Sequence, residues 1–160
     1  MIHIKFKPKL IIIIAMLFAV LFILKIWFIE PVFIIGDSMK PTYHSHQIVF
    51  VNKLSPSYER FSIVIVKTSN ELMIKRIIGL PGETIQIKNG AVYIDGTSII
   101  DVCDEPIDFA GTAFEPLILA DNEYFLLGDN RNNSKDSRYF DVGPISKHDL
   151  RGEVIIKYNL

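Results

Sequence analysis

A short stretch near the N-terminus, Gly36-Asp37-Ser38-Met39-Lys40-Pro41, places a serine in a turn at the end of an apolar run. A serine hydroxyl becomes a useful nucleophile only when a base takes its proton and hydrogen-bond donors stabilise the oxyanion that its attack creates. The stretch therefore indicates Ser38 as a candidate nucleophile, and the type of residue that serves as its base decides the chemistry.

Histidine is the usual base, but the four histidines of this chain are poorly placed. His3 precedes a long apolar run, His44 and His46 lie in a polar stretch typical of a surface loop, and His148 lies in a polar connection. His44 and His46 also lack a third ligand nearby for a zinc site, which takes three or four protein ligands. The sequence therefore favours a base of another type.

Lysine is the alternative, provided that it is neutral. A free lysine has a pKa of about 10.4, and burial lowers this pKa because it disfavours the charged form. Lys75 lies in a predicted strand, where it shares one face with Met73 and Ile77. The sequence indicates Lys75 as the lysine to bury, although an edge-strand lysine that discourages aggregation gives the same pattern.

A third polar element, Leu127 to Arg138 (LGDNRNNSKDSR), directly follows the apolar strand Glu123–Leu127. Its acids, arginines, serines and asparagines are close enough in sequence to form a buttressing hydrogen-bond network. A solvated turn at a strand end is the alternative interpretation.

An N-terminal run of twenty residues, Leu10–Ile29, contains one charge, Lys25. At about 1.5 Å per residue, a helix of this length spans about 30 Å, the thickness of a bilayer hydrocarbon core. A cleaved secretory signal is the alternative, but no A-x-A pattern follows the run. Lysines 5, 7 and 9 precede the run, so the positive-inside rule predicts a cytoplasmic N-terminus.

We therefore predict a cytoplasmic tail over residues 1–9, a transmembrane helix over 10–29 and an extracytoplasmic domain over 30–160. All 18 acidic residues lie from Glu30 onward, and nothing in this acidic balance suggests nucleic-acid binding. Cys103 is the only cysteine, which excludes an intramolecular disulfide.

Beyond residue 30, short β-branched or alternating runs separated by Gly, Pro and Asn-Gly turns predict a mostly β domain of antiparallel strands, sheet-like or barrel-like. Asn89-Gly90 is a strong hairpin signal. Asp101–Asp121 has the weakest secondary-structure pattern of the domain. The predicted strands are Pro31–Ile35, Gln47–Asn52, Phe61–Lys67, Glu71–Leu80, Thr84–Lys88, Ala91–Ile94, Glu123–Leu127 and Glu153–Tyr158.

Three motifs follow the apolar run in order: GDSMKPT from Gly36, KRIIGLPGETI from Lys75 and LGDNRNNSKDSR from Leu127. With them the chain resembles, over nearly its whole length, the type I signal peptidases, membrane-anchored serine proteases that use a Ser–Lys dyad. The resemblance implies that Ser38 is the nucleophile and Lys75 the general base, with Ser134 orienting the lysine through a hydrogen bond. It also implies supporting roles for a set of residues around them: Gly36, Asp129, Asn130, Arg131, Asp136 and Arg138.

Two positions depart from the pattern of many members. In some members, a serine two residues before the nucleophile helps to bind the oxyanion through its hydroxyl. Here that position is Gly36, and many Gram-positive members also have glycine there. The Ser38 backbone N–H is then the expected hydrogen-bond donor to the oxyanion. Ser45-His46 replaces a common Gly-Asp, so we expect an altered local turn there.

By resemblance, the expected activity is removal of N-terminal signal peptides from exported preproteins, with alanine or another small residue at positions −1 and −3, and with no metal or cofactor. The implied partners are signal-peptide-bearing preproteins, the lipid bilayer and the secretion machinery, at the plasma membrane. An extended substrate is expected to add as a strand between Pro31–Ile35 and Glu71–Lys75, on binding residues Phe33, Ile35, Leu72 and Met73.

Four rival interpretations differ in their requirements. A Gly-Asp-Ser lipase or esterase needs an aspartate three residues before its histidine, where His148 has Ile145. A soluble Ser–Lys autopeptidase of the repressor type conflicts with the apolar run. A non-catalytic membrane-anchored scaffold typically loses the dyad, which this chain keeps. A specialised processing peptidase of one secretion or transfer system shares all the motifs.

Overall fold

The computed structural model describes residues 8–54, 57–68 and 71–158, and of residues 8, 24–27 and 156–158 it describes the backbone alone. The chain begins with helix α1, Pro8–Phe28, which runs directly into strand β1, Ile29–Phe33. Of the predicted cytoplasmic tail 1–9, the first seven residues lie outside the described part.

The predicted apolar helix is present, but its transmembrane assignment is not confirmed. No helix within the described residues combines the length and the apolar character needed to cross a membrane. The boundary also differs from the prediction, because Ile29 is the first residue of β1 rather than the last of the helix.

The domain after the helix is built from antiparallel strands, which confirms the mostly β prediction. Ten strands follow β1: β2 Ile48–Asn52, β3 Ile63–Lys67, β4 Leu72–Gly79, β5 Thr84–Lys88, β6 Ala91–Ile94, β7 Thr97–Ser98, β8 Leu117–Ile118, β9 Glu123–Leu127, β10 Ile145–Ser146 and β11 Leu150–Tyr158. They form a seven-stranded sheet, in the order β1-β2-β11-β3-β4-β9-β10, and a four-stranded sheet, β7-β6-β5-β8. Neither sheet closes on itself among the described strands, so the barrel-like part of the prediction is not confirmed.

The smaller sheet is centred on the predicted β5–β6 hairpin. Asn89 and Gly90 both have positive φ, 51° and 77°, which is the requirement of the type I′ turn that this dipeptide favours. The hairpin pairs Ile85 with Ile94 and Ile87 with Val92, and all four side chains are buried. Its inward face packs with β9 in one apolar cluster that includes Phe125.

A second apolar cluster is formed by side chains of the larger sheet and of the serine turn. Val49 and Val51 of β2 pack with Ile65 and Ile74, and this cluster also takes in Met39 from the serine turn. Met39 is 1% exposed, so the turn that carries Ser38 is anchored from beneath by burial of an apolar side chain.

Three short strands, Thr97–Ser98, Leu117–Ile118 and Ile145–Ser146, are absent from the sequence-based prediction. Each has only two residues, too few for a periodic pattern. The first predicted strand, Pro31–Ile35, is shifted to Ile29–Phe33, and Pro31 is tolerated because β1 is an edge strand that pairs only with β2.

Candidate active site

Ser38 lies in a turn that begins at Gly36. Gly36 has a φ of +98°, a conformation that L side chains rarely adopt. The Ser38 carbonyl accepts a hydrogen bond from the Asn130 backbone N–H at 3.0 Å, and the Asn130 side-chain amide donates to the Asp37 carbonyl at 3.1 Å. Two bonds from the loop after β9 therefore fix the position of the Ser38 turn.

The Lys75 side chain reaches Ser38 from the middle of β4. Its Nζ lies 2.8 Å from the Ser38 Oγ, within hydrogen-bond distance. Lys75 is 4% exposed, and Met73 and Ile77, which alternate with it, are also buried. The predicted burial of Lys75 between two apolar neighbours is thus confirmed.

Burial lowers the pKa of the Lys75 amine, and the Asp136 carboxylate opposes this by raising it. Burial has the larger effect on this pKa. It lowers the pKa because desolvation disfavours the charged form of a group with little water around it. Lys75 is therefore closer to deprotonation than an exposed lysine at the same pH.

Ser134 is buried next to Gly128, but the hydrogen bond expected between it and Lys75 is not formed in this structure. Within the described residues, the buried Ser134 Oγ has no hydrogen-bond partner, while Lys75 is bonded to Ser38. A Cβ on Gly128 would lie 2.2 Å from the Ser134 Oγ and 2.5 Å from the Ser38 carbonyl oxygen. The absence of a side chain at 128 thus lets the segment that carries Ser134 approach the serine turn.

Asp136 and Arg138 form a buried ion pair behind Ser134. The Arg138 guanidinium donates to both Asp136 carboxylate oxygens, at 2.7 and 2.8 Å, and to the Arg131 carbonyl at 2.6 Å. Asp136 also accepts from the Gly128 N–H at 3.0 Å. The two residues therefore tie both ends of the loop from Gly128 to Arg138 together.

Arg76 is a site residue that sequence reasoning missed. Its guanidinium makes a bidentate pair with Asp129, with contacts of 2.8 Å from Nε and 2.6 Å from Nη2. The Asp129 carboxylate is fully buried and Arg76 is 11% exposed. Because Arg76 follows Lys75 directly in β4, the pair links the strand of the lysine to the loop of Ser134.

Asp101 is a second site residue that sequence reasoning missed, and it lies in the stretch Asp101–Asp121, which has the weakest secondary-structure pattern. It pairs with the buried Arg131, whose Nη2 lies 2.7 Å from the Asp101 Oδ1. The Arg131 Nε also donates to the Gly128 carbonyl at 3.1 Å. Sequence gives only a weak signal for the Arg76–Asp129 and Asp101–Arg131 pairs. The loop has two arginines and two acids, and sequence does not show that two of these four residues pair with residues outside the loop.

We expect Asp129→Asn to lower the free energy of unfolding by about 3–5 kcal/mol, because it leaves the largely buried Arg76 charge without its partner. Urea unfolding of the full chain in detergent measures this change. The control is Asp141→Asn, which breaks an exposed pair with Lys135 and should leave the unfolding midpoint unchanged. Equal, small effects of the two substitutions would contradict the structural role of the Arg76–Asp129 pair.

A cleft of about 490 Å³ opens beside Ser38 and Lys75. Four predicted substrate-binding residues line it: Phe33, Ile35, Leu72 and Met73. The first three are 51%, 86% and 61% exposed, whereas Met73 is buried in the wall. The structure thus brings together on one cleft both segments that were expected to hold the substrate.

Both walls of the cleft offer unpaired strand edges among the described residues. β1 pairs with β2 alone. Residues Leu72–Lys75 of β4 pair with β3 on one side, while β9 begins to pair with β4 only at Arg76. Unpaired strand edges of this kind are where extended peptides add as strands in other proteins.

Ser45 and His46, the two residues that replace the common Gly-Asp, lie in a turn next to the Ser38 turn. His46 has a φ of +72°, and the Ser45 Oγ accepts a hydrogen bond from the Gly36 N–H at 3.2 Å. The His46 ring contacts the Phe33 ring edge to face, at 5.9 Å between centroids. His44, His46 and His148 are all exposed, and within the described residues no cluster of three or more metal-ligating side chains is found.

Comparisons with known proteins identify relatives of this chain. The family model described as "Signal peptidase, peptidase S26" matches residues 7–159. Signal peptidase I of Bacillus amyloliquefaciens is 37% identical over 156 residues, 88% of this chain and 80% of its own. Signal peptidase I S of Bacillus subtilis (strain 168) is 36% identical over 157 residues, 88% of this chain and 82% of its own.

One solved structure also matches part of this chain. The crystal structure of a signal peptidase I from Enterococcus faecalis V583 aligns with a TM-score of 0.49 and 26% identity, covering 62% of this chain and 97% of that one.

Proposed function

The chain belongs to the signal peptidase family, peptidase S26, and we propose that it removes signal peptides from exported preproteins with Ser38 as nucleophile and Lys75 as general base. Members of this family are serine peptidases, hence hydrolases. The observation that carries the dyad proposal is the 2.8 Å contact between the Lys75 Nζ and the Ser38 Oγ, made by a lysine that is only 4% exposed.

In the proposed reaction, the neutral Lys75 amine takes the Ser38 proton as the Oγ attacks the scissile carbonyl carbon. The carbonyl oxygen becomes an oxyanion, which the Ser38 backbone N–H stabilises. Collapse of this intermediate breaks the C–N bond, and the lysine ammonium gives its proton to the departing amine. Lys75 then takes a proton from water as the water oxygen attacks the ester carbonyl carbon. When the bond between that carbon and the Ser38 Oγ breaks, the lysine ammonium returns the proton to the Oγ, which restores the neutral amine and the free serine.

Two features around Lys75 support this role. Burial lowers its pKa, which increases the neutral fraction near neutral pH. The buried Ser134 Oγ lacks a partner within the described residues, and such an atom costs about 1–3 kcal/mol. We propose that the Lys75 ammonium turns away from Ser38 after it has taken the serine proton, and that its Nζ then donates a hydrogen bond to the Ser134 Oγ. This bond would offset the cost of the unpartnered Ser134 hydroxyl during the reaction.

The substrate is proposed to lie extended in the cleft between β1 and β4. Side chains alternate along such a strand, so those at −1 and −3 point the same way. The buried Ile34 and Ile74 lie in the lining of this cleft, so we propose that side chains pointing inward must be small, as alanine is.

We also propose that residues 10–29 anchor the chain in the plasma membrane, with residues 1–9 cytoplasmic and residues 30–160 outside. The run has one charge in twenty residues, and its large apolar side chains between Leu10 and Ile23 are exposed to the surroundings. Ser38 follows the anchor by nine residues, so the cleft would lie near the bilayer and the secretion machinery, where preproteins present their cleavage sites.

A preprotein with alanine at −1 and −3 tests the proposal. We expect the full chain in neutral detergent to cut it once, directly after the −1 residue, as the mass of the products would reveal. A matched preprotein with leucine at −1 should be cut at least about 10-fold more slowly, because an inward leucine does not fit the lined wall. Equal cleavage of the two, or cleavage elsewhere, would contradict the proposed binding mode.

We further expect Glu71→Gln to move the acid limb of the kcat/KM profile to lower pH. The Glu71 carboxylate raises the pKa of Lys75, so its removal leaves more of the neutral base at a given pH. Rate measurements between pH 5 and pH 9 test this, and high salt should reduce the difference because Glu71 is exposed. Glu115→Gln, on an exposed loop, is the control; an identical shift in both variants, or a shift to higher pH, would count against the idea.

A further inference from the structure

A second hollow of about 260 Å³ adjoins the active-site cleft at the end away from Ser38. The two spaces share three lining residues, Val32, Ile65 and Leu72. The second hollow is therefore a continuation of the cleft, and a peptide that follows the β4 edge past Leu72 would enter it.

The walls of this second hollow carry two cations. Lys67 lies at the end of β3, and Arg151 is the extra residue of a β-bulge in β11, between the paired positions Leu150 and Gly152. A bulge reorients the side chain of its extra residue. Both cations are exposed, and neither makes an ion pair or hydrogen bond with another described residue.

The hollow also has one acidic residue, Glu30, which lies 3.4 Å from Lys53. The negative charge of Glu30 is thus already opposed by a lysine outside the hollow. Lys67 and Arg151 together leave the apolar hollow with an excess of positive charge, which favours an anionic group on whatever enters it.

The strand register indicates which substrate residue reaches this site. Lys67 is paired with Leu72, and Leu72 is three residues from Lys75, or about 10 Å along a strand. If the −1 residue lies beside Lys75, residue −4 lies near Leu72 and residue −5 lies beyond it. Strand alternation places −5 on the same face as −1 and −3, pointing into the cleft.

We propose that Lys67 and Arg151 form a substrate subsite that selects an acidic side chain at position −5 of the preprotein. This inference rests on the proposed function, which places the signal-peptide part of the substrate in the cleft, and it takes that part to run from Lys75 towards Leu72. The occupant is a peptide carboxylate rather than a lipid phosphate, since the hollow is continuous with the cleft that holds the scissile bond.

Three matched preproteins that differ only at −5, with Asp, Asn or Lys there, test the subsite by their kcat/KM values in neutral detergent. The wild type should prefer Asp over Asn by about 2- to 5-fold, the range expected for exposed charge pairs. The double variant Lys67→Gln/Arg151→Gln should bring the ratio to about 1, and Lys67→Glu/Arg151→Glu should favour the Lys preprotein. Lys88→Gln, an exposed lysine at the end of β5, should keep the wild-type ratio.

An Asp-to-Asn ratio near 1 in the wild type, or the same ratio in all variants, would overturn the subsite while the Asn preprotein is still cleaved. Failure of the wild type to cleave even the Asn preprotein would overturn the proposed function instead. The assay is repeated with phosphatidylglycerol vesicles and with phosphatidylcholine vesicles. A dependence on Lys67 and Arg151 that appears only with phosphatidylglycerol, and equally for Asp and Asn preproteins, would assign the hollow to a lipid phosphate and overturn the peptide subsite.

Discussion

Replacing Ser38 with alanine is expected to reduce kcat/KM for a signal-peptide-bearing preprotein by roughly 10³-fold or more, because the substitution removes the nucleophile itself. The fold should be unaffected, since the anchoring of this turn comes from the buried Met39 and from backbone bonds to Asn130. Cleavage of a purified preprotein, followed by the mass of its products, measures the loss.

A matched control is Ser98→Ala, an exposed serine of β7 in the smaller sheet, which should cleave at the wild-type rate. Normal processing by Ser38→Ala would rule out Ser38 as the nucleophile and would favour a non-catalytic relative whose apparent activity comes from another protease.

Replacing Lys75 with methionine is expected to abolish turnover to a similar degree, because no other described side chain is bonded to the Ser38 hydroxyl. Lys75→Arg should be equally inactive, since a guanidinium keeps its proton at the pH of the assay. Lys88→Met, which removes an exposed lysine from β5, is the control and should remain active. Substantial cleavage by Lys75→Met would contradict the assignment of the base.

Lys75→Met also separates catalysis from stability. The pKa of Lys75 is lowered by burial from its ordinary value of 10.5, so the unfolded chain binds more protons than the folded chain between the two values. The free energy of unfolding of the wild type should therefore rise with pH through that window. In Lys75→Met this contribution should be absent, without a loss of stability near neutral pH, because the variant no longer buries an amine. A large drop in the free energy of unfolding would mean that Lys75 supports the fold. The loss of activity in Lys75→Met would then not identify Lys75 as the base.

Much of the fold and the centre of the site could be predicted from local patterns. The Asn89-Gly90 turn and the alternation of Met73, Lys75 and Ile77 act over a few residues, and both predictions are confirmed. The proximity of Ser38 and Lys75, which are 37 positions apart in sequence, could not be predicted from periodicity. It was implied by the resemblance to the type I signal peptidases, which rests on three motifs in order.

Features that depend on tertiary packing could not be predicted. The Arg76–Asp129 pair joins residues 53 positions apart, and the Asp101–Arg131 pair joins a loop without regular pattern to the Ser134 loop. Each pair exists because desolvation makes an unpaired charge costly, but sequence does not say which acid meets which base. The expected Ser134–Lys75 bond illustrates another limit, since sequence does not say which hydroxyl the lysine bonds, and in this structure it bonds Ser38.

The central claim, that the Lys75 amine is the base for Ser38, is tested most directly by restoring that amine chemically. Lys75→Cys in a Cys103→Ser background has a single cysteine, and aminoethylation converts it to a side chain of lysine length ending in an amine. We predict that the unmodified variant does not cleave the preprotein and that the modified one, with alkylation at residue 75 verified by mass, regains cleavage after the −1 residue. Activity in the unmodified variant, or none after complete modification, would contradict the dyad.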